Sequence, residues 1–373
     1  MSAPFGSFAI PSFDHGRYVP VLLTRQGELL AMRELAADIR GVATPLFVVH
    51  PVAIEPSTGE PKKTIEEHVT KVARQLAADW GITPAFVDLR YVDTAAPLPD
   101  GSHPLVRLVG ISRDRGLPLT PVVSGSHDDS YRAAAVTAAR LADTAVAIRL
   151  GPAEWPEIGT PLGDGHLLRL LADTGQSPED THLILDLEGQ ISTTVAVTAA
   201  ALRPVLRALP YAYEWASVTV AGTGMPTGTA EVGRDGAAEI PRSEWALWRS
   251  LDGAGYRRPS FGDYGVQHPD PVSEFDPRFM DSSAQLRYTI SGSWFVVRGR
   301  GVRGTGLDQI HDLAGHVVAH PEYAGRGFSW GDQWLWDCSE HSCPPGNQGK
   351  WRKVTTNHHL SYVVRQLASL HGP

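Results

Sequence analysis

The sequence predicts an α/β fold, a closed (β/α)8 TIM-like barrel with a C-terminal β-hairpin and helical elaboration. Short β-branched runs recur about every 30 to 40 residues, amphipathic stretches separate them, and eight runs pass before the rhythm stops. From Val19 to Gly265 the eight units occupy 247 residues, close to the ~250 of such a barrel. The division that follows is a lead-in over 1–17, a barrel over 18–265 and an elaboration over 266–373 packed on the barrel mouth.

The lead-in mixes Ser, Pro, Phe and Gly without a period and is expected to cross the bottom of the barrel. The strand runs lie at 19–23, 46–50, 85–89, 119–123, 145–149, 183–187, 217–221 and 260–264. A first helix over 28–40 is apolar at Leu29, Leu30, Met32, Leu35 and Ile39. A second over 63–80 is apolar at Ile65, Val69, Val72, Leu76 and Trp80. Both patterns follow the 3.6-residue period of a helix that buries one face against the barrel. Further helices are expected over 103–115, 129–142, 164–174, 193–208 and 242–252, several announced by capping residues such as Asp129 and Ser243. The Gly/Thr-rich stretch 222–240 is too long for a tight turn and reads as a surface loop over the mouth. Runs at 286–290 and 294–298, joined by Ser-Gly-Ser, read as a hairpin. Helices over 307–319 and 358–370 follow, the first expected in the place of the eighth barrel helix.

At 42% hydrophobic and 20% charged residues the chain can bury a large core, which excludes wholesale disorder. A net charge of −8 argues against nucleic-acid or membrane binding over the whole surface, while leaving room for a local basic patch. No apolar stretch approaches the ~18 residues of a membrane span and no secretory leader is apparent, so the expectation is a cytoplasmic protein without a membrane partner. Both cysteines, Cys338 and Cys343, would then remain thiols unless a metal or partner held them.

Barrel enzymes carry chemistry at the C-terminal ends of their strands. Here those ends present Asp88, Arg90, Arg149, Asp186, Glu188 and Asp263, which could bind a phosphate or a divalent metal, or could form structural ion pairs. Asp186 and Glu188 share one side of their strand, and burying two carboxylates together is costly without a cation, which makes them the expected metal ligands. Gly222-Thr-Gly224 and Phe261-Gly-Asp-Tyr-Gly265 could cradle phosphate with backbone N–H groups, or serve only tight turns. Asn357-His358-His359, downstream of Trp351 and Arg352, could supply a general base or ligand anchor. Adjacent helical histidines diverge by ~100°, so one would act and the other pack, with Asn357 as the N-cap. Cys338, His341 and Cys343 with a histidine of that pair form only a weak zinc pattern. No nucleophile elbow, Walker loop, HExxH or dinucleotide fingerprint is present. The C-terminal stretch holds Trp294, Trp330, Trp334, Trp336 and Trp351, and from Arg287 on it has nine basic against six acidic residues, which suits base stacking or phosphate binding.

Phe261-Gly-Asp-Tyr-Gly265, Leu286-Arg-Tyr-Thr289, Trp294-Phe-Val-Val-Arg-Gly299, Phe328-Ser-Trp-Gly-Asp332, Trp351-Arg352 and Thr356-Asn-His-His-Leu360 occur in this order, after an opening Tyr18-Val-Pro-Val and Gly27-Glu28. Together they resemble the Beta-protein family of bacteria and phages over essentially the whole chain. The family's namesake belongs to a satellite-phage cassette in which it restrains a toxic partner, so the resemblance implies phage defence or toxin neutralisation and supplies no reaction. The chain departs from the family pattern at His341 and Cys343, which weakens any role for that pair.

The leading functional expectation is a defence-associated barrel whose mouth binds a phosphate-bearing ligand, a nucleotide or nucleic-acid end. Asp263 and His359 would be the catalytic pair. Asp88, Arg90, Arg149, Tyr264, Arg287, Tyr288, Arg298, Trp351, Arg352 and His358 would bind the ligand, and Asp186 and Glu188 a divalent metal as cofactor. One alternative is a non-catalytic, antitoxin-like subunit gripping a toxin or other defence protein; another is a phosphodiesterase-type hydrolase. A deep pocket joining Asp186, Asp263, Arg287 and His359 would favour a ligand, and a flat apolar face a protein partner.

Overall fold

The computed structural model describes residues 13–154, 165–192, 194–253, 255–269 and 282–371. Its strands are β1 (Tyr18–Leu23), β2 (Leu46–Val48), β3 (Ala85–Asp88), β4 (Leu119–Val123), β5 (Ala147–Leu150), β6 (His182–Asp186), β7 (Ser217–Gly222), β8 (Gly236–Pro241), β9 (Ser260–Asp263), β10 (Ser283–Thr289) and β11 (Ser293–Gly301). β1 to β7 and β9 close a parallel eight-stranded barrel, sealed where Tyr18 pairs with Phe261. Each of the eight predicted runs coincides with one of these strands.

Alternation along the strands builds two cores. Val19, Val21, Leu46, Val48, Phe86, Val122, Ala147, Ile184 and Ala221 fill the interior, with Phe13 beneath them against Phe86 and His182. Tyr18, Leu22, Phe47, Val87, Ile148, Leu185 and Phe261 face outward to the helices. Gly262 is required in the wall, because a Cβ there would lie 2.9 Å from both Ala221 Cβ and Val19 O. Residues 1–12 of the expected lead-in lie outside the described residues.

The helices are α1 (Gln26–Arg33), α2 (Ala37–Val42), α3 (Ile65–Asp79), α4 (Pro104–Arg113), α5 (Asp129–Ala142), α6 (His166–Thr174), α7 (Val195–Arg207), α8 (Ser243–Ser250), α9 (Val302–Thr305), α10 (Gln309–Val318), α11 (Trp330–Ser339) and α12 (Gln348–His371). The expected first helix is two, broken around Glu34, with Leu35 and Ile39 both still buried. Three expectations are corrected. The 222–240 stretch is not all loop, because β8 pairs with β11 and completes an antiparallel sheet in the order β10-β11-β8. The eighth barrel helix is α12, whose Leu360, Val363, Val364 and Leu367 join the barrel's outer core, whereas α10 packs on the sheet through Ile310, Leu313 and Val317. Asn357 is no N-cap: α12 begins at Gln348, nine residues earlier.

Candidate functional site

Alternation also decides which polar residues share a space. Phe86, Ala147 and Ile184 face the barrel interior, so Asp88, Arg149 and Asp186, two residues further along their strands, point into the mouth one layer higher. On β9 the parity is opposite. Phe261 packs outward and so does Asp263, while Tyr264 turns inward.

Arg149 stands at the centre of the mouth. Its Nη1 donates to Asp88 Oδ2, its Nε to Asp186 Oδ2 and its Nη2 to Tyr264 Oη, each at 2.8 Å. Tyr264 Oη donates to Asp186 Oδ2 at 2.6 Å. The other carboxylate oxygens accept backbone N–H groups at 2.8 Å, Arg90 on Asp88 and Glu188 on Asp186. Asp88-Leu-Arg90 and Asp186-Leu-Glu188 therefore share one local shape: the acid ties its own chain and the third residue reaches over the mouth. There Arg90 Nη1 meets Glu188 Oε1 at 2.7 Å, Glu188 adopting φ +50° in the sparsely populated left-handed region. His127, stacked on Tyr131, brings Nε2 to 3.3 Å from Asp88 Oδ1.

Burial alone would raise the Asp88 carboxyl, but His127, Arg149 and Arg90 outweigh it and hold the group well below the ordinary carboxylate range. Burial opposes the Arg149 charge, and Tyr264, Asp186 and Asp88 hold its pKa above the usual value. Burial pushes the Tyr264 phenol far up, so it remains a neutral donor. A metal at Asp186 and Glu188 would require uncompensated carboxylates. Here Arg149 balances Asp186, Arg90 balances Glu188, and both Asp186 oxygens are engaged, so this donor set does not fit a divalent cation. Among the described residues no group of three or more His, Cys, Asp or Glu is arranged to hold one. The recess lined by Leu23, Val48, Tyr91, Arg149, Tyr264 and Pro269 has room for about one water.

Asp263 and His359 meet, but outside the barrel wall, beneath α12. His359 Nε2 donates to Asp263 Oδ2 at 2.9 Å, Tyr18 Oη donates to Asp263 Oδ1 at 2.6 Å, and Thr289 Oγ1 lies 2.8 Å from His359 Nδ1. Burial would raise the Asp263 carboxyl; His359, Arg242 and Tyr18 outweigh it and keep it below its ordinary range. His358 turns the other way, to Asp332 Oδ2 at 2.9 Å and Thr289 O at 2.8 Å, stacked on Tyr288, whose Oη donates to Asp332 Oδ1 at 2.7 Å. Both histidines are 0% exposed. Neighbouring positions diverge as expected, yet neither points to solvent: the pair bolts the C-terminal sheet to the barrel through Thr289. Trp351 is likewise buried, and Arg298 ties β11 to the loop before β8 through Val232 O at 2.9 Å. The cysteine pattern does not acquire these histidines: Cys338 Sγ lies instead 3.5 Å from His311 Nδ1.

Arg287 and Arg352 come together at a third place, near the ends of β1 and β9. Arg287 Nη1 donates to Val266 O at 2.7 Å. Arg352 packs on Gly27, where a Cβ would fall 2.9 Å from Gly349 O and 3.1 Å from Arg352 Cβ, so only glycine lets α12 approach α1 this closely. Burial, with Arg352 alongside, pulls Arg287 down to about 10. Close by is Glu28, 2% exposed; among the described residues its Oε2 has no hydrogen-bond partner, and neither has Arg352 Nε. Burial raises the Glu28 carboxyl, opposed by Arg352 and Arg25. Among the described residues none of Arg25, Arg287 and Arg352 has a carboxylate within 4 Å. Arg25 and Glu28 were absent from the predicted site; the signal that could have found them is the family-like Gly27-Glu28 pair.

The family model described as Beta protein matches residues 18–365. The chain belongs to the Beta protein family. No curated protein matches it in sequence. Among solved structures, a mutant tryptophan synthase α-subunit from the hyperthermophile Pyrococcus furiosus aligns at 11% identity and TM-score 0.36, over 68% of this chain and 88% of that one. A triosephosphate isomerase from Bartonella henselae aligns at 13% identity and TM-score 0.34, over 68% and 94%. At such distances the barrel of this Beta protein stands on its own strand order. Among the described residues no helix is long and apolar enough to cross a membrane.

Proposed function

We propose that this Beta protein binds a phosphate-bearing ligand, a nucleotide or nucleic-acid end, at the rim near the ends of β1 and β9 through Arg25, Arg287 and Arg352, and that it does so as a binding module rather than a catalyst. The observation that carries the reading is uncompensated charge. Among the described residues Arg25, Arg287 and Arg352 have no carboxylate within 4 Å, Arg352 lying beside Arg287 and, with Arg25, near the buried Glu28, while Arg90 and Arg149 at the mouth are matched. Guanidinium groups take phosphate oxygens bidentately, and strand ends near the closure of such barrels are where phosphates sit. Asp263 and His359 are sealed beneath α12, away from any ligand at the rim. The family resemblance supports a setting in phage defence.

Calorimetric titration of the wild type with inorganic phosphate, a nucleoside triphosphate and an end-phosphorylated oligonucleotide, against Arg287→Ala and Arg352→Ala, tests the reading. Binding by the wild type that both variants lose supports it. Equal binding by the variants, or none by the wild type, overturns it and leaves the subunit that neutralises a toxic partner.

A further inference from the structure

A groove of about 860 Å³ runs between α1 and α3 on the outer flank of the barrel, and its walls are basic. Lys62, Lys63, Lys71, Arg74 and Arg33 line it, against Glu67 and Asp79. The two acids are already engaged: Asp79 pairs with Arg33, and Glu67 closes the α3 capping box on the Thr64 backbone at 2.9 Å. Lys62 meets Glu55 at 3.4 Å. Lys63, Lys71 and Arg74 are exposed and have no ion-pair partner among the described residues. Lys71 and Arg74 stand three residues apart on one helix face, a like-charge arrangement that works against the helix. It persists in a chain whose net charge is −8.

We infer that this groove is the docking surface for an acidic, amphipathic segment of a partner protein. Charge complementarity carries the inference, and the details select the partner. Lys63 lies just before the Thr64 N-cap and Arg74 within α3, so the cations are spread along about 14 Å of helix, the length of two to three turns of a docked helix. Leu30, Ala78 and the aliphatic stems of the lysines supply an apolar floor. Among the described residues no aromatic side chain lines the groove, so bases would have nothing to stack on. An unbroken phosphodiester chain would run over Glu67 and Asp79, whereas a peptide can place its carboxylates on the cations alone. The groove shares no residue with the arginine cluster, so the two proposals stand or fall separately.

Fluorescence anisotropy on the full chain tests it, with a labelled glutamate- and leucine-patterned helical peptide as probe and a labelled DNA duplex as competitor class. Combined Lys63→Glu, Lys71→Glu and Arg74→Glu should weaken the peptide by about tenfold or more and leave the thermal midpoint unchanged, because all three side chains are exposed. Reversal of three exposed cations elsewhere, Arg140→Glu, Arg169→Glu and Arg249→Glu, removes the same charge and should leave the peptide bound. Failure of the wild type to bind the peptide, equal loss in both triple variants, or tighter binding of the duplex overturns the inference.

Discussion

Arg149 and Arg352 lie at the same end of the same barrel and meet opposite surroundings. Arg149 is held between Asp88 and Asp186, with Tyr264 completing the set. Among the described residues Arg352 has Arg287 for a neighbour, a buried Glu28 beyond ion-pairing distance and no hydrogen-bond partner for its Nε. Desolvating a guanidinium is costly unless carboxylates and hydrogen bonds offset it, so a matched arginine is part of the fold and an unmatched one is available to a ligand. Arg242 is an intermediate case. It is buried with Nε 3.4 Å from Glu244 Oε1, and its Nη2 lacks a hydrogen bond.

The largest effect should come from the matched set. Arg149→Met leaves Asp88 and Asp186 buried without their cation and should destabilise the protein by about 3–5 kcal/mol, read from denaturant unfolding. A near-neutral result would erase the distinction between matched and unmatched arginines. The intermediate pair should respond to pH. Burial pushes the Glu244 carboxyl up to about 7, above the ~4.3 of an unfolded glutamate. Its contribution to stability is therefore complete below the unfolded value and lost as pH rises through about 7, the reverse of Asp88 and Asp263, whose depressed pKa values place their loss on the acid side. Thermal midpoints should decline between about pH 5 and about pH 8, and Glu244→Gln, which keeps an acceptor for the Gly224 N–H, should flatten that decline. An unchanged slope would place the titration elsewhere. The smallest effect belongs to Arg352→Met, which keeps the aliphatic stem and separates no ion pair; a change within about 0.5 kcal/mol is expected. A loss several times larger would assign Arg352 to the fold and remove it from the ligand site.

The barrel was legible because its signal is local. Eight runs of period two between stretches of period 3.6 reflect burial on one side of each element, and neighbours in sequence carry that pattern. β8 and the first half of α12 were hidden for the same reason. β8 alternates half-buried with exposed residues and has a single large apolar side chain, one proline and no aromatic residue, so Gly236-Ala-Ala-Glu-Ile-Pro241 reads as loop. The middle of α12 buries Thr355, Thr356, Asn357, His358, His359 and Ser361 between barrel and sheet, which erases the apolar stripe. Of the candidate site, the strand-end acids and arginines were found, and their grouping was not. Asp263 and Tyr264 were read as one site although adjacent strand residues face opposite sides, and this parity alone separates them.

The sequence by itself determined the number of barrel strands, the faces their side chains take and the inventory of polar residues at the strand ends. Only the tertiary structure decided which of those residues neutralise one another. Arg149 finds its acids 61 and 37 positions away, and His359 finds Asp263 at 96. Burial periodicity is written between near neighbours, but charge compensation depends on distances of a few ångströms between groups far apart in the chain. Closure of the barrel sets those distances, and with them whether a buried arginine is matched or left for a ligand.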